Sequence, residues 1–457
     1  MRRYRLISGI AMIALLGGAS IAWRADSHGN DTGVPLPGTG ALMSVDARTH
    51  RAFVLTSAQK GTATRGYLTT VSTNDDSALS TIALGQNPSA MGLDERTGML
   101  FVSDYVDNTV AVIKAGTGVM VRTIGLGPPG QGGRELAIDA HAERVFVAGR
   151  PGSSMLDAQR GTLLRRVAGG YAVAISERFD RAFVMDDRRV TVLDARTGAI
   201  LRAYPLPEGL HDAVVNEHSG RVFVDSNSGG TVLVLNAANG AMVRTLGRSP
   251  LASSSIVVDR RAGHILGVGG APREIAICDG RTGDVLWHLP AGQAPSAPVV
   301  DERTGHIFVA DAASATLTMI GERDGHVLRR VASQAPTGPL VLDRARGRLF
   351  AISHDALAGQ GLYLQSGRVS VLDTATGSTL AAFAVGTDPG NVVVDEASGR
   401  VVVLSTGGVW ARPNRYSWLP DWLRQRLPLL RVGATRTTMP TTSCRALAKI
   451  VAANMAR

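Results

Sequence analysis

Cysteine is almost missing. The 457 residues carry only Cys278 and Cys444, too few for a disulfide framework or a four-thiolate zinc site. Catalytic signatures are missing too: the chain has no Gly-x-Ser-x-Gly elbow, no His-Glu-x-x-His, no Cys-x-x-Cys-His haem attachment and no P-loop, so the usual sequence marks of serine hydrolases, zinc peptidases, c-type cytochromes and nucleotide hydrolases are all lacking. No long amphipathic helical pattern interrupts the chain, and Gly 53 and Pro 20 recur at turn positions instead of gathering in one flexible stretch. With 44% hydrophobic and 19% charged residues, there is ample apolar surface for a large core. Length alone allows two or three domains or one large all-β domain.

A basic face is also lacking where it would matter. The formal charge of +10 resides at the two ends: residues 1–31 carry +2 and residues 411–457 carry +8, which leaves residues 32–410 neutral. A domain that grips a phosphate backbone would concentrate cations on itself, so this distribution argues against nucleic-acid binding by the globular part.

The first 23 residues hold a basic start (Arg2, Arg3, Arg5) and then an uncharged run from Leu6 to Trp23. This reads as a signal peptide cleaved after Ala22 or as a retained membrane anchor. Both readings export everything after Arg24, to the periplasm or to the outer side of the inner membrane. Residues 6–23, if retained, are the only expected membrane contact, and residues 24–40 form a linker.

What the chain does contain is repeats. A strand, a tight turn and a second strand recur nine times, as in MGLDERTGMLFV from Met91, VVDERTGHIFV from Val299 and VVVDEASGRVVVL from Val392. The position of Phe53 returns at Phe101, Phe146, Phe183, Phe223, Leu266, Phe308, Phe350 and Val402, at steps of 37 to 52 residues. A second hairpin follows most copies, for example VTVLDARTGAILRAY from Val190, with Asp-x-x-Thr-Gly at its turn. There the Asp accepts from nearby amides while Gly takes a positive φ. Four strands per forty-odd residues is the span of a propeller blade, whereas β-helix turns take about half that length. The fold expected is therefore an all-β propeller over residues 41–410. Eight complete four-stranded antiparallel units cover 41–387, with a seven-bladed ring as the alternative.

The second unit, FVSDYVDNTVAVIKAGTGVMVRTIGLG from Phe101 to Gly127, resembles the YVTN repeat of exported YncE-like propellers. The likeness extends over about 41–404 and is close only in this unit. Elsewhere the Tyr-Val-Thr-Asn position reads FVAG, FVMD, FVDS and FVAD. What it implies is the propeller fold and export, since these propellers have varied roles.

Strand parity puts the a–b and c–d turns on one face of the ring and the b–c and d–a loops on the other. The Asp-x-x-Thr-Gly turns and the histidines His50, His141, His218, His264 and His306 fall on the first face. The histidines are read as solvent-exposed turn residues, spread one per blade and unable to converge on a metal. The second face carries the variable loops, the usual place for binding on a rigid ring. Its candidate ligand-binding residues are Arg150, Asp186, His211, Asp212, His354 and Asp388. No catalytic or metal-binding residue is assigned and no cofactor is expected.

The function these features imply is a non-enzymatic binding or interaction scaffold at the cell envelope, with an unidentified protein or small-molecule partner at the variable face. The alternative is an oxidoreductase or a lactonase-like hydrolase on the same fold. It rests on DGRTGDVLWHLPAG from Asp279, which resembles the Asp-x-x-Thr-Gly-x-x-x-Trp repeat of quinoprotein dehydrogenases and would bring pyrroloquinoline quinone. Only this unit has the tryptophan, Trp287, and the family's adjacent cysteine pair is absent. Cys278 falls at an apolar position of its strand and reads as a small buried hydrophobe. After Leu404 the ninth copy continues without a second hairpin, into two expected helical turns at Pro420–Leu427 and a basic tail over 411–457, read either as a disordered tail or as a truncated or frame-shifted remnant of an incomplete last repeat.

Overall fold

The computed structural model describes residues 34–412 apart from short stretches at 61–62, 130–131, 134, 150–151, 168–169, 207–209, 227–230, 247–254, 270–273, 291, 293, 333–336, 355–365, 388 and 406–407. The expected signal or anchor at 1–23, the helical turns at 420–427, Cys444 and the basic tail beyond 412 lie outside the described residues. Among the described residues there is no helix.

Eight four-stranded antiparallel sheets span residues 39–83, 88–125, 135–167, 172–205, 210–246, 255–290, 299–332 and 337–387. They are blades 1 to 8 of an eight-bladed β-propeller, as the repeat count predicts. Within each blade the strands a to d lie in chain order. Each pair of neighbouring strands is joined by a short connection, the arrangement that antiparallel pairing permits. The ninth copy is longer than expected. Its strands Asn391–Asp395 and Arg400–Ser405 are followed by a third, Gly408–Arg412. Five residues with no Asp-x-x-Thr-Gly turn after them gave no hairpin signal. This ninth sheet stands between blade 8 and blade 1: its first strand packs against strand a of each.

The core is a series of apolar seams between adjacent sheets. Phe53, Phe101, Phe146, Phe183, Phe223, Phe308 and Phe350 are all fully buried, each in the middle of a strand b, and each contributes about 2–3 kcal/mol of apolar burial. Phe53 packs with Leu100, Val102 and Ile113 of blade 2. At the closing seams Phe350 meets Val394, Val401 and Val403 of the ninth sheet, while Val402 and Leu404 on the sheet's other face meet Ala52 and Val54 of blade 1. Strands b and c alternate at period two, yet both of their faces are covered, so they read as nearly continuous apolar runs.

The turns form as the sequence implies. At the c–d turn of blade 4, Asp194 accepts Thr197 N at 2.9 Å and Thr197 Oγ1 at 2.8 Å, and Gly198 sits at φ +70°, a conformation glycine adopts without a Cβ penalty. Asp279 and Asp373 repeat the arrangement.

Candidate functional site

The face that carries the a–b and c–d turns is occupied by bonds between blades. Three families of basic side chains reach from one blade to backbone acceptors of the next. From the a–b turns, Arg96 donates to Ala140 O at 3.0 Å, Arg178 to Glu217 O at 2.8 Å, Arg261 to Glu302 O at 2.7 Å and Arg346 to Glu396 O at 2.7 Å. From the start of strand b, Arg181 donates to Ala238 O at 2.8 Å and Arg144 to Arg196 O at 3.2 Å. From strand d, Arg165 donates to Thr197 O at 3.0 Å, Arg202 to Asn239 O at 2.9 Å and Arg329 to Thr376 O at 2.9 Å. Trp287 stands at this strand d position in blade 6. It packs instead over Gly325 of blade 7, where any Cβ would collide with the indole.

Three of the five turn histidines, His50, His141 and His306, belong to the same scheme, and of these His141 stays exposed as its sequence reading has it. His306 Nδ1 donates to Thr374 O at 2.7 Å across the blade 7 to 8 junction, and His141 Nδ1 lies 2.7 Å from Asp180 Oδ1 across the blade 3 to 4 junction. His50 Nδ1 lies 2.9 Å from Asp395 Oδ2 in the ninth sheet, and Thr73 donates to the same oxygen at 2.6 Å. Burial works against the charge on Asp395, but the bonds from Thr73, His50 and Ser398 prevail and hold its pKa below the ordinary value. One junction carries an acid instead. Burial, and after it the charge of Asp259, pushes the Glu322 carboxyl of blade 7 up to about 7.

Groups are held differently on the opposite face. At the corner between blades 1 and 2, Asp104 accepts Asn87 N at 2.8 Å and Asp107 N at 2.8 Å, and Asp107 accepts Gln86 N and Gln86 Nε2, both at 3.0 Å. The two carboxylates converge on Gly85, where a Cβ would collide with both. Burial raises the Asp104 pKa, and the charge of Asp107 adds to the rise against the N–H bonds it accepts. A groove of about 410 Å³ opens beside them, floored by Ala83, Leu84, Val102, Ala111 and Met120. Its chemistry suits a cation on an apolar stem, since the floor would take methylene groups and the carboxylates the charge. Asp311 in blade 7 builds a similar corner, accepting Ala294 N at 2.8 Å, with Gly292 at φ +88° beside it.

Of the residues singled out from sequence, Asp186 accepts Arg188 N, Arg189 N and Arg189 Nε at 2.8–2.9 Å, all within its own b–c turn. It lines a second groove, of about 440 Å³, with Arg188, Arg189 and Tyr204. His211 and Asp212 lie in strand a of blade 5, where the register shifts between Leu210 and Asp212. His354 ends strand b of blade 8 opposite Gly367. The three stand on blades 5 and 8, three blades apart, and their side chains lie outside the described residues, as do Arg150 and Asp388. Asp104 was not singled out. Its signal was the Asp that ends strand b in FVSD and FVAD, the place where the repeat otherwise varies. Cys278 is fully buried, and burial first, then the charges of Asp284 and Asp279, pushes its thiol up to about 12, as befits an inert apolar filler.

With this geometry described, comparison by sequence gives one family. The model for PQQ_2, outer membrane protein assembly factor BamB, matches residues 106–378 and 244–417. The chain belongs to this family. No curated protein matches the sequence. Among solved structures, the dihydro-heme d1 dehydrogenase NirN in complex with DHE is 12% identical, with a TM-score of 0.52 over 77% of this chain and 76% of that one. Sqt1 of Saccharomyces cerevisiae is 14% identical, with a TM-score of 0.50 over 78% of this chain and all of that one. BamB from Moraxella catarrhalis is 16% identical, with a TM-score of 0.47 over 69% of this chain and 96% of that one. At these identities the first two likenesses speak to the propeller fold alone.

Proposed function

We propose that this BamB-family propeller is an exported, non-enzymatic scaffold at the cell envelope that holds a protein partner on the face of its d–a and b–c loops. One observation carries the reading. The turn face commits its arginines, histidines and carboxylates to blade-to-blade bonds, whereas the loop face offers an apolar groove with two convergent carboxylates, Asp104 and Asp107. A basic side chain of the partner fits there. Residues Arg150, Asp186, His211, Asp212, His354 and Asp388 belong to the same face and are proposed as the remainder of its binding surface. The family's description as an assembly factor of outer membrane proteins, the apolar run at Leu6–Trp23 and the YVTN-like unit at 101–127 support export to the periplasm.

Of the two enzyme alternatives, the oxidoreductase, unlike the lactonase-like hydrolase, would need a quinone cofactor. Among the described residues no group of three or more His, Cys, Asp or Glu side chains is arranged to hold an ion, and Trp287, the residue that carries the quinoprotein resemblance, packs on Gly325.

Site-specific photocrosslinking in envelope extracts tests the reading. A photoreactive residue at Asp107 or Asp187 should capture a discrete partner, and one at Thr376 on the turn face should not. Capture from the turn face alone, or dye reduction by the purified protein with added pyrroloquinoline quinone and alcohols, would reject it.

A further inference from the structure

Strand a of every blade ends in a buried polar residue, an aspartate in all but blades 4 and 5, where Ser176 and Asn216 stand. This side chain faces the c–d turn of the next blade, as Asp395 of the ninth sheet faces Thr73 and Asn216 stands against Gly280. In seven of the eight blades the residue met there is alanine, glycine or threonine. Blade 7 has Glu322 instead. Asp259 of blade 6 is fully buried and Glu322 is 5% exposed. Asp259 Oδ1 caps its own turn, accepting Arg261 N at 3.0 Å and Ala262 N at 3.1 Å. Asp259 Oδ2 and Glu322 Oε2 are buried with no donor from any other group, and the two side chains lie within hydrogen-bond reach of each other. Two carboxylates so placed repel, whereas a carboxylic acid donates to a carboxylate. One proton therefore decides whether the pair ties blade 6 to blade 7 or pushes them apart.

The junction that holds this pair has few other ties. Strand a of blade 7, Val299–Asp301, is the shortest strand a of the ring. Trp287 takes the place of a strand d arginine. His264, at the start of strand b of blade 6, has a buried Nδ1 with no partner among the described residues, where Arg144, Arg181 and His306 reach across their own junctions. Its ring stands edge-on to Trp287, 5.7 Å away. The charged groups around the pair are engaged elsewhere. Arg261 donates to Glu302 O and Arg303 O, and the Glu302 carboxylate accepts Arg260 N. Arg303 turns to Asp301 and to Thr374 of blade 8, His306 donates to Thr374 O, and Asp324 accepts His326 N within its own turn. Burial and the charge of Asp259 favour the protonated Glu322 and outweigh Arg261 and Arg323, which favour its ionised form.

We propose that the junction of blades 6 and 7 is a proton-operated latch, closed while Asp259 and Glu322 share one proton and opened locally, with the other junctions intact, when that proton passes to solvent. Loss of the proton leaves two buried like charges on facing blades, and parting the blades is what lets water reach them. The latch belongs to the turn face and does not depend on what the loop face binds.

Thiol labelling of the full-length protein reads the latch. Val300 lies in the apolar seam between blades 6 and 7, and Cys278 lies in the seam between blades 5 and 6. In a Cys444→Ser chain carrying Val300→Cys, the reaction of each thiol with 4,4′-dithiodipyridine is followed by mass spectrometry from pH 5 to pH 8. Each rate is divided by that of the same thiol in the urea-unfolded chain, which gives an opening constant for each seam. At residue 300 this constant should rise at least about tenfold over that range, because opening releases a proton between the ordinary 4.5 of a glutamate and the value of about 7 in the closed junction. At pH 8 it should exceed the constant at Cys278 at least about tenfold. Glu322→Gln should abolish the rise by keeping a donor to Asp259 at every pH. Glu322→Ala, which gives blade 7 the residue of blades 2 to 5, should abolish it by removing the charge, and His264→Phe should leave it in place. Four outcomes overturn the proposal: no rise with pH, equal opening at the two thiols at pH 8, a rise that survives Glu322→Gln and Glu322→Ala, or its loss in His264→Phe.

Discussion

His50 of blade 1 places Nδ1 2.9 Å from Oδ2 of Asp395 in the ninth sheet, 345 positions later in the chain. With Thr73 donating to the same oxygen, the pair ties the first blade to the last sheet. Asp395→Ala removes the acceptor for both, as well as the cap of its own turn. It should cost about 3 kcal/mol of unfolding free energy, against about 1 kcal/mol for Thr73→Ala. Urea denaturation of the two variants measures the difference.

The same carboxylate sets an acid limit. Its folded pKa lies below the unfolded value, so its stabilisation is present above about pH 4 and is lost as pH falls through the folded pKa. The melting temperature of the wild type should therefore drop below pH 4 more steeply than that of Asp395→Ala. Parallel slopes would show that another group controls acid unfolding.

Glu322 has the opposite sign. Its folded pKa is raised to about 7 from an ordinary 4.5, so the folded state prefers the protonated acid. Stability falls as pH rises from 4.5 to 7 and is level above that. Glu322→Gln should leave Tm unchanged at pH 4 and raise it by a few degrees at pH 8, as read by calorimetry at both values.

At the strand d junctions, Arg202→Ala should cost about 1 kcal/mol. Arg165→Ala, Arg202→Ala and Arg329→Ala combined should cost about the sum, since they serve separate junctions. Trp287→Arg should be milder than Trp287→Ala, because arginine is what five of the other seven blades use at this place. A larger loss for the arginine variant would mean that Trp287 has a role beyond joining blades.

Affinity for DNA or anionic vesicles, if the protein has any, should vanish with residues 415–457. Residues 32–410 are neutral overall, and many of their arginines are engaged with carbonyls. Salt titrations of the full chain and the shortened one should show a slope only in the former.

The fold was legible because its determinants are local. Asp-x-x-Thr-Gly turns and the recurring Phe53 position specify hairpins without reference to distant residues. The arginine of Leu-Leu-Arg at 163–165 was equally visible, but its acceptor is Thr197 O, a backbone atom that no pattern of side chains announces. The third strand of the ninth sheet escaped because Gly408–Arg412 is short and lacks its turn. At the candidate site, Asp104 and Asp107 come together through Gly85, which belongs to the preceding d–a loop. That meeting depends on the loop's path and not on spacing.

Most of the arginine contacts between blades end on backbone oxygens. A side-chain acceptor can be lost by one substitution in the neighbouring blade, but a carbonyl is present whatever residue stands there. At those contacts each blade brings its half of the junction with it and asks little of the sequence next door. Such units can be duplicated, exchanged or added with few matching changes elsewhere, and a ring built this way can grow by a further copy while its loop face diverges freely.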